Sequence, residues 1–319
     1  MNTVEPVSLK SLRNTDYESL IRHRVGKILM ICSNYDAFIL EEDGQIETRI
    51  YEEYIDLNLS NPPQFVWVDS SDKAYSIIKN DSELDMIICM YNAGDGGVFS
   101  LASRLKEENV RIPFVLLTHF SKEIYRRLML QDMSAIDFIF SWHGNADLIV
   151  AIVKLFEDTR NAENDILKVG VQAILLVEDS VRYYSTYLPE LYRLILRQSS
   201  EFLKETLNGR QRKFRKRSRP KILLATNYED AVCLYEKYKS NLLGVISDVG
   251  FVLSKNDSPM AEKKDAGLDL VRLIKADDPT MPVLLQSSQE SYAETARSLG
   301  VGFLKKYSKT LFLQLSEYI

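Results

Sequence analysis

Cysteine, histidine and tryptophan are scarce here: three, three and two residues in a chain of 319. Cys32, Cys89 and Cys233 are too few and too scattered for a disulfide framework or a zinc site. His23, His119 and His143 show neither triad order nor metal-ligand spacing. No apolar run approaches the roughly 18 residues a membrane span needs, and residues 1–13 lack the apolar core of a signal peptide. The "GDGG" at 94–97 is not followed by Lys-Ser/Thr, so it reads as a turn and not a phosphate-binding loop. A net charge of −5 argues against a generally nucleic-acid-binding surface. These absences leave no hydrolase or oxidoreductase site and point to a reduced, cytoplasmic protein.

What is present is a composition able to build full cores, 45% hydrophobic and 27% charged, at a length that suits two domains of about 150 residues. Short apolar runs alternate with amphipathic helical stretches, the pattern of βαβ units and a parallel sheet. The order then repeats. "KILMICSN" (27–34) corresponds to "AILLVEDS" (173–180), and "LDMIICM" (84–90) to "LLGVISD" (242–248). "QFVWVDSSDKAYSII" (64–78) corresponds to "KILLATNYEDAVCLY" (221–235), each a strand entering a helix with a Ser or Asn at its cap. "IPFVLLTHF" (112–120) matches "MPVLLQSSQ" (281–289), and "AIDFIFSW" (135–142) matches "GVGFLKKY" (300–307). The expected organisation is an extension over residues 1–23, a domain over 24–160 and a second over 169–319. The polar stretch 158–170 is expected to end a helix and link them.

In the second half, "LPELYRLILRQSSEFLKETL" (188–207) reads as a helix with Pro189 in its first turn and an apolar stripe through Leu188, Leu191, Ile195 and Phe202. That stripe is longer than one domain needs, so it is expected to bury against the first half or against a second copy of the chain. The run 209–221 follows with eight cations; against a total of −5, the rest of the chain therefore carries −13. No wider basic surface supports a nucleic-acid contact, and the run is expected to be a solvated loop.

The apolar run "AILLV" stops at two neighbouring carboxylates, Glu178 and Asp179. Ligands of doubly wound sheets bind at the carboxyl ends of the strands, and the strand ends of the second half supply Glu178, Asp179, Asp248, Ser287 and Lys306. Three carboxylates on one rim repel one another unless a hard cation joins them, and oxygen ligands of this kind suit Mg²⁺.

At these residues the second half resembles the receiver domain of bacterial two-component response regulators. The resemblance implies a flavodoxin-like α/β fold in each half, a doubly wound five-stranded parallel sheet of order 2-1-3-4-5 flanked by helices. It implies that Glu178 and Asp179 hold Mg²⁺ with Asp248 and the Gly250 carbonyl, and that Asp248 accepts a phosphoryl group. Ser287 and Lys306 would grip the new oxygens, and Phe303 falls at the position of a switching aromatic. Two departures stand out: Tyr307 replaces the usual proline after the lysine, and residues 251–267 form a longer loop beside the acceptor, able to cover the site or slow phosphoryl loss.

At the matching positions the first half has Cys32, Ser33, Met90, Thr118 and Ser141, so it reads as a pseudo-receiver that keeps the fold without the reaction. Asp36, Asp69, Asp72 and Asp95 read as loop or cap residues, and Cys32 and Cys89 as core thiols. The resemblance implies a histidine kinase or phosphotransfer protein as phosphodonor. No effector region is expected after the second half, so output would come by protein contact or through a covalently linked region. The paired arrangement is also similar to the front of some large phosphoenolpyruvate-synthase-like proteins. A docking protein that uses both folds without phosphorylation is the alternative from another class.

Overall fold

Among the described residues, ten short strands, rich in Ile, Leu, Val and Met, form two parallel sheets in the computed structural model of the protein. The structure describes residues 20–40, 45–56, 62–92, 97–119, 128, 131–144, 146–204, 219–255, 257 and 261–306. The first sheet comprises β1 (Lys27–Ile31), β2 (Gln64–Val68), β3 (Met86–Met90), β4 (Phe114–Thr118) and β5 (Phe138–Ser141), ordered β2-β1-β3-β4-β5. The second comprises β6 (Ala173–Val177), β7 (Lys221–Ala225), β8 (Leu242–Asp248), β9 (Val283–Ser287) and β10 (Gly302–Lys305), ordered β7-β6-β8-β9-β10. Each is therefore a doubly wound 2-1-3-4-5 sheet. Helices cover such sheets on both faces, which is why β3, β4, β6 and β9 are buried along their whole length, β3 and β6 being apolar throughout and β4 and β9 apolar until their last one or two residues.

The described helices are α1 (Asn34–Phe38), α2 (Ile46–Asp56), α3 (Ser71–Asn80), α4 (Val98–Glu107) and α5 (Asp147–Ala162), then α6 (Val181–Lys204), α7 (Tyr228–Tyr238), α8 (Ala266–Asp277) and α9 (Tyr292–Ser298). Asn227 caps α7, its side-chain oxygen accepting from the Asp230 amide at 2.8 Å. Ser33 caps α1 in the same way, its hydroxyl accepting from the Asp36 amide at 3.1 Å and donating to the Asp36 carboxylate at 2.6 Å. Asp69 is held by Lys73 at 2.9 Å. Cys32 and Cys89 are buried free thiols. Asp95, most of "GDGG", and Tyr307 lie outside the described residues.

Helix α6 starts at Val181, seven residues before the expected start, so Pro189 lies inside it and not in its first turn. An interior proline forfeits one helical hydrogen bond and costs about 3 kcal/mol. Burial of Tyr184, Tyr187, Leu188, Leu191, Tyr192 and Ile195 offsets that cost.

The chain divides into two compact units that are not continuous in sequence. Among the described residues, one contains those of 25–156 and 178–194; the other contains 20–24, 157–177 and those of 195–306. The first part of α6 thus belongs to the unit of the first sheet. There Tyr184 donates to the Ile139 carbonyl and packs edge-on against Phe140 at 5.4 Å. The Ser141 amide donates to Ser185 Oγ at 2.8 Å, and Arg193 pairs with Asp147 at 2.8 Å.

The unit of the second sheet buries a charge network where the sequence suggested solvent. Asp158 and Asp165, in the polar stretch expected to act as a linker, are 0% exposed. So is Lys221, and Arg219 is 1% exposed, although both end the run expected to be a solvated loop. Arg219 grips Asp158 with two bonds of 2.9 Å, and Lys221 lies 3.0 Å from Asp165 and 3.5 Å from Asp158. Asn161 exchanges hydrogen bonds with the His23 backbone at 2.8 and 2.9 Å. The reason for the correction is pairing: each buried cation meets a buried carboxylate, which a one-dimensional count of charges does not reveal. Residues 205–218 lie outside the described residues.

Candidate functional site

Strand β8 ends at Asp248, β9 ends at Ser287, and Glu178 and Asp179 follow β6 directly. Because β6 pairs with β8 and β8 with β9, these chain positions come to one rim. Strand β10, paired with β9, delivers Lys306, whose amide donates to the Ser287 carbonyl at 2.9 Å. Carboxylate oxygens of Glu178, Asp179 and Asp248 lie within 4.8 Å of one another. Glu178 is buried, and Asp179 and Asp248 are half-buried. The Glu178 carboxylate accepts from the Ser180 amide at 3.1 Å.

Lys306 is 4% exposed, and its ammonium stands 2.7 Å from Asp248 Oδ2. The other Asp248 oxygen accepts from the Val249 amide at 2.8 Å. Burial pushes the Asp248 carboxyl above its ordinary value, while Lys306 and that amide pull against the rise. The hydroxyl of Tyr184 is likewise pushed up by burial, reinforced by the charges of Asp179 and Glu178. Ser287 Oγ accepts from the Gln289 amide at 3.2 Å. Phe303, half-buried, packs against the core of this sheet.

Three carboxylates this close, with one lysine among them, form an all-oxygen donor set that fits a hard divalent cation such as Mg²⁺ better than a softer metal. The fit rests on their spacing, since like charges within a few ångströms under partial burial are otherwise unfavourable. The rim also carries a nucleophile candidate in Asp248, with an ammonium and a hydroxyl placed on the strands beyond it.

Among the described residues no comparable group exists in the first half. Its rim offers Cys32, Met90, Thr118 and Ser141, all buried. Ser141, 1% exposed, has its Oγ within hydrogen-bond distance of His143 Nε2 at 2.9 Å.

Sequence reasoning missed Gly267. Its amide donates to the Val249 carbonyl at 2.8 Å, and a Cβ there would overlap the Asp248 carbonyl oxygen. Only glycine lets α8 start so close behind β8. The signal available was the "AG" opening an apolar helical run, which is too common to single out. The 251–267 loop is pinned back by an antiparallel bridge between Phe251 and Lys263.

No family model and no curated protein matches the chain. Among solved structures, one described as a two-component system response regulator/GGDEF domain protein is 14% identical, with a TM-score of 0.35, covering 92% of this chain and 97% of that one. Another of the same description is 13% identical, with a TM-score of 0.34 and the same coverage. These likenesses are too distant to carry function, which rests on the rim itself.

Proposed function

We propose that the second half is a phosphoryl-accepting receiver of a two-component phosphorelay in the cytoplasm, and that the first half is a non-phosphorylatable scaffold or partner surface. The carrying observation is the convergence of Glu178, Asp179 and Asp248 within 4.8 Å, with Lys306 paired to Asp248 at 2.7 Å. Glu178, Asp179 and Asp248, with the Gly250 carbonyl, would hold Mg²⁺. Bound there, the cation supplies the charge that lets one anion approach another.

Asp248 is the attacking group. One of its oxygens forms a bond to phosphorus, and the bond from phosphorus to the donor breaks with its electron pair leaving on the donor. The donor is a histidine kinase, a phosphotransfer protein or, in the test tube, a small acyl phosphate. The Lys306 ammonium, already beside Asp248, exchanges its carboxylate partner for a phosphoryl oxygen, and the Ser287 hydroxyl donates to another. Ser287 and Lys306 sit on β9 and just past β10, so that exchange favours a different packing of this edge and of Phe303. The altered face then meets an output partner or a linked output region.

Intact-mass measurement after treatment with acetyl phosphate and Mg²⁺ tests the reading. Wild type should gain about 80 Da, the mass of one phosphoryl group, and Asp248→Asn should gain none. No gain in wild type, or undiminished gain in Asp248→Asn, would leave docking without phosphorylation as the function.

A further inference from the structure

Glu262 lies in the loop between β8 and α8, on a stretch held from several sides. Phe251 and Lys263 exchange backbone hydrogen bonds of 3.3 and 3.1 Å, and Phe251 is fully buried against Tyr228. The Lys263 ammonium pairs with Asp269, and the Tyr292 hydroxyl donates to the Lys264 carbonyl at 3.3 Å. The Glu262 side chain itself is exposed. Its carboxylate presses on Gly250, two residues past Asp248, so closely that a Cβ at position 250 would overlap Glu262 Oε1 and stand 3.4 Å from its Cδ. The space a side chain at 250 would fill is therefore filled by a carboxylate from a distant part of the loop.

We infer that Glu262 is a positioning residue for the divalent cation, accepting a hydrogen bond from a water on the cation beside the Gly250 carbonyl. This rests on the receiver reading above. Mg²⁺ held by a few carboxylates keeps several of its waters, and these are strong donors. Carboxylates just outside such a shell orient those waters, and losing one typically costs 10–100-fold in metal affinity. Glu262 lies outside the three carboxylates found within 4.8 Å of one another, and the role inferred for it is accordingly one through water. Its exposure puts the expected effect at the lower end of that range.

The absence of a side chain at 250 makes the inference testable without changing charge. Mg²⁺ titration of the full chain by calorimetry should show about tenfold weaker binding for Glu262→Gln and for Glu262→Ala. Gly250→Ala, which keeps every charge but evicts the carboxylate, should weaken binding to a similar degree. In a Glu262→Ala background, where nothing remains to evict, Gly250→Ala should add nothing. Thermal midpoints in EDTA should stay together, because a merely structural contact would move them and leave affinity alone. Glu262→Gln binding Mg²⁺ within twofold of wild type would overturn the role of Glu262 and leave the receiver reading standing. So would Gly250→Ala acting equally in both backgrounds. A wild type that takes up no Mg²⁺ would overturn the receiver reading itself.

Discussion

Replacing Arg219 with methionine should be among the most damaging single changes in the second sheet's unit. The guanidinium is 1% exposed and makes two 2.9 Å bonds to an Asp158 that is itself 0% exposed. Methionine of similar reach keeps most of the volume, so the loss is electrostatic. Asp158 is left with Lys221 at 3.5 Å and the Ile222 amide at 3.1 Å. Stranding one member of a buried pair costs about 3–5 kcal/mol, against roughly 5–15 kcal/mol for a whole domain. Removing both members is a different matter. In Arg219→Met with Asp158→Leu no charge is stranded, because Lys221 retains Asp165 at 3.0 Å. Beyond the donor lost to the Pro220 carbonyl, which the single variant shares, the residual cost is the Ile222 amide left without its acceptor, about 1–3 kcal/mol. The double variant should therefore be more stable than Arg219→Met alone. Urea unfolding of the full chain by circular dichroism, with hydrogen exchange read at β6 and β7, measures this directly. A double variant as unstable as the two single losses added together would refute the reasoning, and so would an Arg219→Met cost below about 1 kcal/mol, the level of an exposed pair.

The same network sets an acid limit. Burial alone would raise the Asp158 carboxyl, but Arg219 and Lys221 more than offset this and hold it below the ordinary value. A depressed carboxyl stabilises the fold fully above the unfolded aspartate value, about 3.9, and that contribution is lost as pH falls through the lower folded value. Exchange protection at β6 and β7 should thus hold from neutrality to about pH 4 and drop below it, and the Asp158→Leu/Arg219→Met pair should show less of that drop. Lys306→Ala should still take up label on Asp248 but no longer change exchange at β9 and β10; an unchanged response would remove Lys306 from the switch. Glutamate at Leu191 or Ile195, 0% and 1% exposed, should cost roughly 3 kcal/mol or more by burying an unpaired charge. A thermal midpoint unmoved by either would mean that the α6 stripe packs against nothing.

Much of this protein was legible from its residues in order. Buried parallel strands must be apolar along their length, so "MIICM" and "AILLV" announce themselves, and the repeat of five such runs predicts two sheets. The rim was legible for a related reason: a run that must be apolar inside ends where it meets solvent, which makes Glu178, Asp248, Ser287 and Lys306 stand out by position. The structure separates two adjacent lysines: Lys306 turns to Asp248, while Lys305 pairs with Glu290 at the surface. Three things were decided only in three dimensions. Charges pair across long separations, so Arg219 and Lys221 read as part of a solvated run until Asp158 and Asp165 are seen beside them. Helix ends depend on packing as well as on local signals, so α6 absorbs Pro189 because its stripe is buried. And a glycine shows what it makes room for only when the chain returns to it: Gly250 accommodates the carboxylate of Glu262, and Gly267 the carbonyl of Asp248.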